Sequence, residues 1–240
     1  MENKFIFDVD GTLTPSRGII NKDFAIWFSK FCDNNNVYLV TGSDRPKTIE
    51  QVGQYIYHTC KRVYNCSGND VWRADLNVRS NKWTLPEDAH EWLSEQLTAS
   101  SFPLRTGLHF EHRPGMINFS VVGRNATLGE RKLYVNWDKE YDERDYIAHN
   151  FNLIFTDLEA RPGGETGIDI APKGLNKSQI LQDFDKDDFI VFFGDRMDEG
   201  GNDYPLANAL FNNYQGINHS IQRWEETWEI LRNEYSTNWQ

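Results

Sequence analysis

The order in which apolar runs and amphipathic segments alternate along the chain predicts its fold class. Short apolar runs suited to buried strands occur at residues 5–7, 37–40 and 62–65. Between them, apolar side chains recur at helical spacing over 22–31 and 46–58. Strands that alternate with helices in this way form a parallel sheet covered on both faces. The first part of the chain is therefore predicted to be a doubly wound, Rossmann-like α/β domain.

The pattern changes after about residue 80. A helix is predicted at 87–98, alternating β-type residues follow at 110–122, and a helix and a strand are predicted at 143–151 and 153–157. Helices and strands that are segregated rather than alternating are typical of an α+β layer. The sequence thus predicts a second domain inserted into the first.

Beyond the insert, the α/β pattern resumes. A helix is predicted from Lys177 to about 183, a strand at 189–193 and a short helix near 203–209, and Ile221, Trp224, Trp228 and Leu231 again follow helical spacing. We therefore assign 1–80 and 175–240 to the core and 81–174 to an inserted α+β cap.

Composition narrows the range of partners. Against 25 Lys and Arg the chain has 36 Asp and Glu, a formal net charge of −11, which argues against nucleic acid or an anionic membrane as a main partner. No run approaches the roughly 20 apolar residues that span a bilayer, and the chain begins without a signal-like segment, so a cytoplasmic location is expected. Cys32, Cys60 and Cys66 lack metal-type spacing and are expected to be reduced thiols.

Two acidic clusters follow apolar runs. Asp8 and Asp10 come directly after the first run and precede Gly11, while Asp195 and Asp203 follow the run at 189–193. Taken alone, Asp8 and Asp10 could belong to an acidic turn. Together, the clusters suit phosphoryl transfer, because a carboxylate that attacks a phosphate ester needs a cation to offset charge repulsion.

Two further segments offer groups that bind phosphate. The run at 37–40 ends in Thr41, Gly42 and Ser43, which supply hydroxyl and backbone N–H groups. Lys177 stands at a predicted helix start, where its charge and the helix N-terminus would both favour an anion.

These four segments, in this order, resemble the haloacid dehalogenase superfamily. The stretch 110–124, continuing to Glu130 and Arg131, is similar to the substrate-binding cap of eukaryotic-type α-phosphomannomutases, as are residues 7–17 and the loop 194–203. The resemblance covers most of residues 4–210 and is weak between about 65 and 105.

The resemblance implies roles for the core residues. Asp8 would be the nucleophile and Asp10 the general acid and base, while Lys177 would neutralise the phosphoryl oxygens. Either Thr41 or Ser43 would hydrogen-bond the phosphate, with Thr41 preferred. The implied cofactor is Mg²⁺, held by Asp8, Asp10 through its carbonyl, Asp195 and Asp203. Asn202 is a candidate to share the task of Asp203 in that shell, whereas Asp198 and Glu199 are expected not to bind the metal.

The resemblance also implies the substrate contacts, which are Arg17, Arg113, Asn118, Arg124, Arg131 and Asp169. Arginine suits a second phosphate because its planar fork binds that group bidentately. Ser120 would share a strand face with Asn118 and line the sugar pocket. One departure concerns the sugar: the family's Ser-Phe-Asp is Gly167-Ile168-Asp169 here, which keeps the carboxylate but loses a hydroxyl.

The function expected from the resemblance is a magnesium-dependent phosphohexomutase that interconverts mannose 6-phosphate and mannose 1-phosphate through an aspartyl phosphate and a hexose bisphosphate. The alternatives are a sugar-phosphate phosphatase with the same nucleophile and a non-catalytic binding protein of the same fold. A homodimer through the cap is also implied. Apolar cap residues considered for that interface or, equally, for the cap core are Trp92, Leu93, Leu97 and Phe102.

Overall fold

The computed structural model describes residues 2–213 and 216–236. Its strands are β1 (Lys4–Phe7), β2 (Asn36–Val40), β3 (Arg62–Asn65), β4 (Asp70–Arg73), β5 (Leu76–Ser80), β6 (Phe110–Arg113), β7 (Met116–Phe119), β8 (Leu158–Gly163), β9 (Gly167–Pro172), β10 (Ile190–Gly194) and β11 (Gly216–Ser220). Its α-helices are α1 (Lys22–Asn34), α2 (Arg45–Val52), α3 (Gln54–Thr59), α4 (Glu87–Ala99), α5 (Leu128–Tyr141), α6 (Glu143–Ile154), α7 (Tyr204–Asn213) and α8 (Trp224–Ile230).

The chain forms two compact units. The core unit comprises Met1–Ser80 and Asn176–Gln240, and the cap unit comprises Asn81–Leu175. Among the helices that the structure describes, none has the length and apolar character that crossing a bilayer requires.

The core unit is built on a seven-stranded sheet in the order β11-β10-β1-β2-β3-β4-β5. The first five strands are parallel, and the hairpin β4–β5 adds two antiparallel strands at one edge. Phe5 and Phe7 point into an apolar cluster with α1 and α3, whereas Ile6 points into a second cluster with α7. Helices therefore cover both faces, and the predicted doubly wound α/β fold is confirmed.

Helix boundaries in the core follow local signals. Asn21 caps α1 by accepting hydrogen bonds from the backbone N–H groups of Asp23 and Phe24, at 2.9 and 3.2 Å. The single helix predicted at 46–58 is wrong, because Gly53 has a φ of 83° and separates α2 from α3. Residues other than glycine rarely adopt so positive a φ, so the glycine determines where α2 ends and α3 begins.

The last predicted helix of the core is largely confirmed. Trp224 and Trp228 on α8 stack on Phe24 with ring centroids 5.8 and 5.3 Å apart. A π-helical turn, Leu231–Tyr235, follows α8. The apolar spacing at this end of the chain therefore reflects core packing.

The cap unit is a four-stranded antiparallel sheet in the order β6-β7-β9-β8, packed on one face by α4, α5 and α6. The helix α5 was not predicted, because its buried positions include the polar residues Arg131 and Asp138. A capping box does mark its start: Thr127 Oγ1 accepts from the Glu130 N–H, and the Glu130 carboxylate accepts from the Thr127 N–H at 2.7 Å.

The strand predicted at 153–157 is also wrong. Helix α6 continues to Ile154, and the strand that follows it, β8, starts only at Leu158. The apolar residues Leu153 and Ile154 of this stretch belong to the last turn of the helix and are exposed, and Phe155, just after the helix, packs against the cap core.

The apolar residues considered for a dimer interface lie in or against the core of the cap. Leu93 and Phe102 are buried there, and Trp92 and Leu97 pack against the same cluster. Cys32, Cys60 and Cys66 are buried, and in the described part of the chain no disulfide joins them.

Candidate active site

Two carboxylates follow neighbouring parallel strands of the core sheet. Asp8 comes directly after β1 and Asp195 directly after β10. The two strands pair in parallel with Phe7 opposite Phe193, and the Asp8 N–H donates to the Phe193 carbonyl at 2.9 Å. The carboxyl ends of the strands therefore bring both acids to one edge of the sheet, which is where doubly wound sheets bind ligands.

A buried lysine joins the two acidic clusters. Lys177 is fully buried, and its Nζ lies 2.5 Å from Asp8 Oδ1 and 2.7 Å from Asp203 Oδ1. It begins a 3-10 helix, Lys177–Asp183, in place of the predicted α-helix, and Asn176 caps this helix by accepting from the Ser178 N–H at 3.0 Å. Asp203 is itself fixed by the Arg196 N–H, which donates to its Oδ2 at 3.1 Å.

The three core carboxylates form a compact oxygen cluster. One oxygen from each of Asp8, Asp195 and Asp203 lies within 4.8 Å of the others. Burial raises the pKa of Asp8 well above its ordinary value despite the opposing charge of Lys177. Burial, assisted by the charge of Asp203, raises the pKa of Asp195 to about 7. Such concentrated negative charge in a buried place is what a bound divalent cation relieves.

The same carboxylates stabilise the charged form of Lys177. Burial alone would lower the pKa of its ammonium, but the charges of Asp203 and Asp8 raise that pKa above the ordinary value. The lysine therefore stays charged inside the protein.

Asp10 is held in a separate hydrogen-bond network beside this cluster. Its Oδ1 accepts from the Arg17 N–H at 2.6 Å and from Gln51 Nε2 at 2.9 Å, and its Oδ2 accepts from Ser43 Oγ at 3.5 Å. Gln51 was not predicted, because a lone polar residue in a helix gives no sequence signal. Arg17 takes part here through its backbone, with a φ of 58°.

The two hydroxyls at the end of β2 have different surroundings. Thr41 is buried, and its Oγ1 accepts from the Ser43 N–H at 3.1 Å, whereas the Ser43 hydroxyl faces Asp10. Both lie at the carboxyl end of a strand adjacent to β1, so the preference for Thr41 as phosphate ligand stays a prediction.

The turn after Asp8 contains two further positioning features. Thr12 Oγ1 donates to Asp8 Oδ2 at 3.4 Å, and the Thr12 carbonyl accepts from Thr227 Oγ1 at 2.7 Å. Gly11 has a φ of 80°, and a Cβ at this position would collide with the Asp195 carboxylate. Thr12 was missed as a site residue, although it stands in the motif that revealed Asp8.

The other two carboxylates of the second acidic loop are not part of the oxygen cluster. Asp198 and Glu199 are exposed, consistent with their exclusion from the metal site. Asn202 is half-buried, and its Oδ1 has no hydrogen-bond partner in the described part of the chain.

In the cap unit, the face of the sheet opposite the helices is polar. Glu111, Asn118, Asp169 and Arg161 lie opposite one another in register across the four strands. We call these four residues the polar row. Because directly opposed residues of an antiparallel sheet point to the same face, their side chains share one surface.

The predicted cap arginines lie near one end of the polar row. Arg113 contacts Glu111 Oε1 at 3.1 Å, and Arg124 pairs with the other oxygen of the same carboxylate. Burial alone would raise the pKa of Glu111, but the charges of Arg113 and Arg124 hold it below its ordinary value. One carboxylate thus orients two arginines and neutralises only part of their charge.

Arg131 differs from these two. It is buried, its NH1 donates to Thr166 Oγ1 at 3.0 Å, and among the described residues it forms no ion pair. Burial lowers the pKa of its guanidinium, although Glu165 acts in the opposite direction. A buried guanidinium without a carboxylate partner is well suited to an anionic ligand.

Asn118 and Asp169 form the centre of the polar row. Asn118 Nδ2 donates to Asp169 Oδ1 at 2.6 Å, and a Cβ on Gly167 would collide with the Asn118 amide. The position that is serine in the resembling family is glycine here, and in this arrangement the Asn118 amide occupies the space that a side chain at Gly167 would need. Ser120, which was expected to line the sugar pocket, donates its hydroxyl to the Thr166 carbonyl at 2.9 Å.

The predicted site residues thus fall into two groups, which the structure describes within separate units. Those of the core unit are Asp8, Asp10, Arg17, Thr41, Lys177, Asp195 and Asp203. Those of the cap unit are Arg113, Asn118, Arg124, Arg131 and Asp169.

Comparison with known proteins identifies the family of this chain. The profile of the eukaryotic phosphomannomutase family matches residues 25–237. The chain belongs to the eukaryotic phosphomannomutase family. It is 33% identical to a phosphomannomutase from Saccharomyces cerevisiae over 96% of this chain and 93% of that protein. It is 30% identical to phosphomannomutase 1 from Homo sapiens, over 95% of this chain and 90% of that protein.

Solved structures share the fold at lower identity. The C-terminal domain of a trehalose-6-phosphate phosphatase from C. albicans superposes with a TM-score of 0.60 at 16% identity, over 88% of this chain and 74% of that chain. A haloacid dehalogenase-like hydrolase from Bacteroides thetaiotaomicron gives a TM-score of 0.56 at 12% identity, over 97% of this chain and 99% of that chain. The phosphomannomutase family member described here therefore has a haloacid dehalogenase-type fold.

Proposed function

We propose that the protein is a phosphomannomutase, which interconverts mannose 6-phosphate and mannose 1-phosphate through a hexose bisphosphate. The observation that carries this proposal is the Asp8 carboxylate, held by Lys177 and Thr12 beside a second acidic cluster. Membership of the eukaryotic phosphomannomutase family supports the sugar.

The proposed chemistry begins at Asp8. A carboxylate oxygen of Asp8 attacks one phosphorus of the hexose bisphosphate, the bond from that phosphorus to the sugar oxygen breaks, and that oxygen takes a proton from Asp10, which leaves a hexose monophosphate and an aspartyl phosphate. In the second half-reaction, Asp10 takes the proton from a sugar hydroxyl, which attacks the aspartyl phosphate and regenerates Asp8. The hydrogen bonds from Gln51 and the Arg17 backbone fix the Asp10 carboxylate for both transfers.

The core residues fit a magnesium ion. Asp8, Asp195 and Asp203 bring oxygen ligands within 4.8 Å of one another, the hard donor type that Mg²⁺ prefers. These residues would hold the ion, with the Asp10 carbonyl as a further ligand, and the bound ion would offset the negative charge of the substrate phosphate.

Magnesium is therefore expected to stabilise the folded protein. At a concentration 100 times its dissociation constant, a ligand of the folded state contributes about 2.7 kcal/mol. Thermal unfolding with and without magnesium should show this gain for the wild type and for Asp198→Asn, whose side chain is exposed. Asp195→Asn should lose it. An equal gain in both variants would remove Asp195 from the metal site.

The rival function is a sugar-phosphate phosphatase, in which water discharges the aspartyl phosphate. The cap favours the mutase, because Arg113, Arg124 and Arg131 suit a second phosphate that is not reacting, and Arg131 forms no ion pair with any described residue. Binding energy from such a remote group can be used to hold the intermediate and exclude water. A phosphatase has no need of binding energy from a second phosphate.

Arg131→Ala is expected to separate the two functions. The substitution should raise the barrier for mannose 1-phosphate isomerisation by about 2 to 4 kcal/mol, the scale for breaking a desolvated charge-assisted contact. It should also increase the fraction of phospho-enzyme lost to water. The measurement is the ratio of mannose 6-phosphate to free phosphate, with a hexose bisphosphate present.

The control for Arg131→Ala is Lys132→Ala, which removes an exposed cation from the next position of the same helix. Its product ratio should equal that of the wild type. A wild-type enzyme that releases only free phosphate, with a ratio that neither substitution changes, would support the phosphatase instead.

We also propose, on the family resemblance alone, a cytoplasmic homodimer joined through the cap. Light scattering at micromolar concentration should then give about twice the monomer mass of 28.0 kDa. The monomer mass would contradict the dimer.

A further inference from the structure

Arg161 is a member of the polar row that is neither among the predicted substrate contacts nor part of the proposed chemistry. It lies on β8 directly opposite Asp169, and the register places both side chains on the polar face of the cap sheet. Its NH2 donates to Glu159 Oε1 at 2.6 Å, and in the described part of the chain this is its one hydrogen-bond partner. Its Nε is buried and has no hydrogen-bond partner among the residues that the structure describes.

The neighbouring Asp169 carboxylate leans towards the strand that carries Arg161. A Cβ on Gly163, the next β8 residue on that face, would collide with Asp169 Oδ2. Asp169 nevertheless forms no direct ion pair with Arg161, because Arg161 pairs with Glu159 within its own strand. A donor and an acceptor therefore lie on the same face of the sheet, at directly opposed positions, without bonding to each other.

The other side of Asp169 adds a second acceptor. Asn118 donates its amide N–H to Asp169, and its Oδ1 has no hydrogen-bond partner among the described residues. Acceptors on Asn118 and Asp169 next to a donor on Arg161 match a pair of neighbouring sugar hydroxyls, each of which can accept one hydrogen bond and donate another.

Charge distinguishes the two ends of the polar row. At the β6 edge, Arg113 and Arg124 share the single carboxylate of Glu111, which leaves positive charge for a phosphate. At the β8 edge, Arg161 stands between Glu159 and Asp169, so one positive group faces two carboxylates. That edge disfavours a phosphate and favours neutral hydroxyls.

We propose that Arg161 is a specificity-determining residue that binds a ring hydroxyl of the hexose phosphate together with Asp169. This inference rests on the proposed function for the identity of the substrate. A hydroxyl oxygen accepts from the Arg161 guanidinium while its hydrogen is donated to the Asp169 carboxylate. Such a bridge depends on where the hydroxyl points, so it distinguishes sugars that differ at one ring carbon.

The test compares Arg161→Gln and Arg161→Lys with the wild type, using mannose 1-phosphate and glucose 1-phosphate, which differ at C2. Arg161→Gln should weaken binding of the preferred sugar phosphate about tenfold, as for loss of a hydrogen bond to a charged group. The ratio of kcat/KM between the two sugars should fall at least about fivefold, mostly through KM, and Arg161→Lys should restore part of it. Lys132→Ala should leave both quantities unchanged.

Binding is measured by calorimetry and turnover by product formation, so the two proposals can fail separately. Sugar-phosphate binding that weakens in Arg161→Gln without any isomerisation by the wild type would reject the mutase and retain Arg161 as a sugar ligand. A variant that binds as the wild type does, or that loses activity on both sugars equally with unchanged binding, would reject the role of Arg161. A wild type that binds neither sugar phosphate would reject it as well.

Discussion

Replacing Asp8 with asparagine is expected to reduce turnover at least about a thousandfold, which corresponds to about 4 kcal/mol of transition-state stabilisation. Asparagine keeps the shape of the side chain but removes the negative charge that makes the carboxylate oxygen a nucleophile, and no other carboxylate takes its position directly after β1. The measurement is the steady-state rate with mannose 1-phosphate and a hexose bisphosphate.

The fold should survive this substitution. Lys177 keeps Asp203 at 2.7 Å as a counter-charge, and the asparagine places no new charge in the buried site. Asp198→Asn, an isosteric change at an exposed residue of the second acidic loop, should retain wild-type turnover. If Asp8→Asn kept a tenth of the activity with a wild-type unfolding curve, Asp8 would not be the nucleophile.

Trapping provides a second, independent measurement. Beryllium fluoride with magnesium mimics an aspartyl phosphate, and it should bind to Asp8 in the wild type and be lost in Asp8→Asn. Retention of the mimic by the variant would place the covalent intermediate on another residue.

The parts of the fold that could be predicted from the sequence are those whose side chains are uniformly buried. Strands β1, β2, β3 and β10 are mostly buried, so their apolar runs stand out in the sequence. Strand β5 at the sheet edge is largely exposed, and it was missed. The apolar pattern reports burial, and an edge strand has little of it.

The same distinction applies to the site. Asp8 and Asp195 were predictable because each follows a buried strand directly, and parallel pairing then brings them together. Gln51 reaches Asp10 from a helix that is distant in sequence, and Arg161 faces Asp169 only through the register of β8 with β9. Contacts of this kind depend on tertiary packing and leave no local signal.

Lys177→Met is expected to lower the free energy of unfolding by about 3 to 5 kcal/mol when a chelator keeps magnesium away. The substitution preserves an unbranched side chain but leaves Asp8 and Asp203 buried without the ammonium that now lies within 2.7 Å of both. Removing one partner of a buried ion pair costs this much because the remaining charge stays desolvated. Urea unfolding provides the measurement.

The pH dependence of the stability of Lys177→Met follows from the same buried charges. Losing Lys177 removes the group that opposes the raised pKa of Asp8, so the variant's folded state should bind protons more tightly than the unfolded chain. Its stability should therefore be lowest near pH 8 and should recover as the pH falls towards 5, because protonation neutralises the buried carboxylates.

A second variant separates charge from packing. Lys177→Met combined with Asp203→Asn removes one buried carboxylate together with the lysine and leaves Asp8 and the half-buried Asp195. It should therefore recover part of the stability that Lys177→Met loses, and the recovery should be larger at pH 8 than at pH 5. If Lys177→Met alone cost less than about 1 kcal/mol, or the same amount at both pH values, the lysine would not be compensating buried charge. The cluster of Asp8, Asp195 and Asp203 would then depend on Lys177 for neither its stability nor its ionisation.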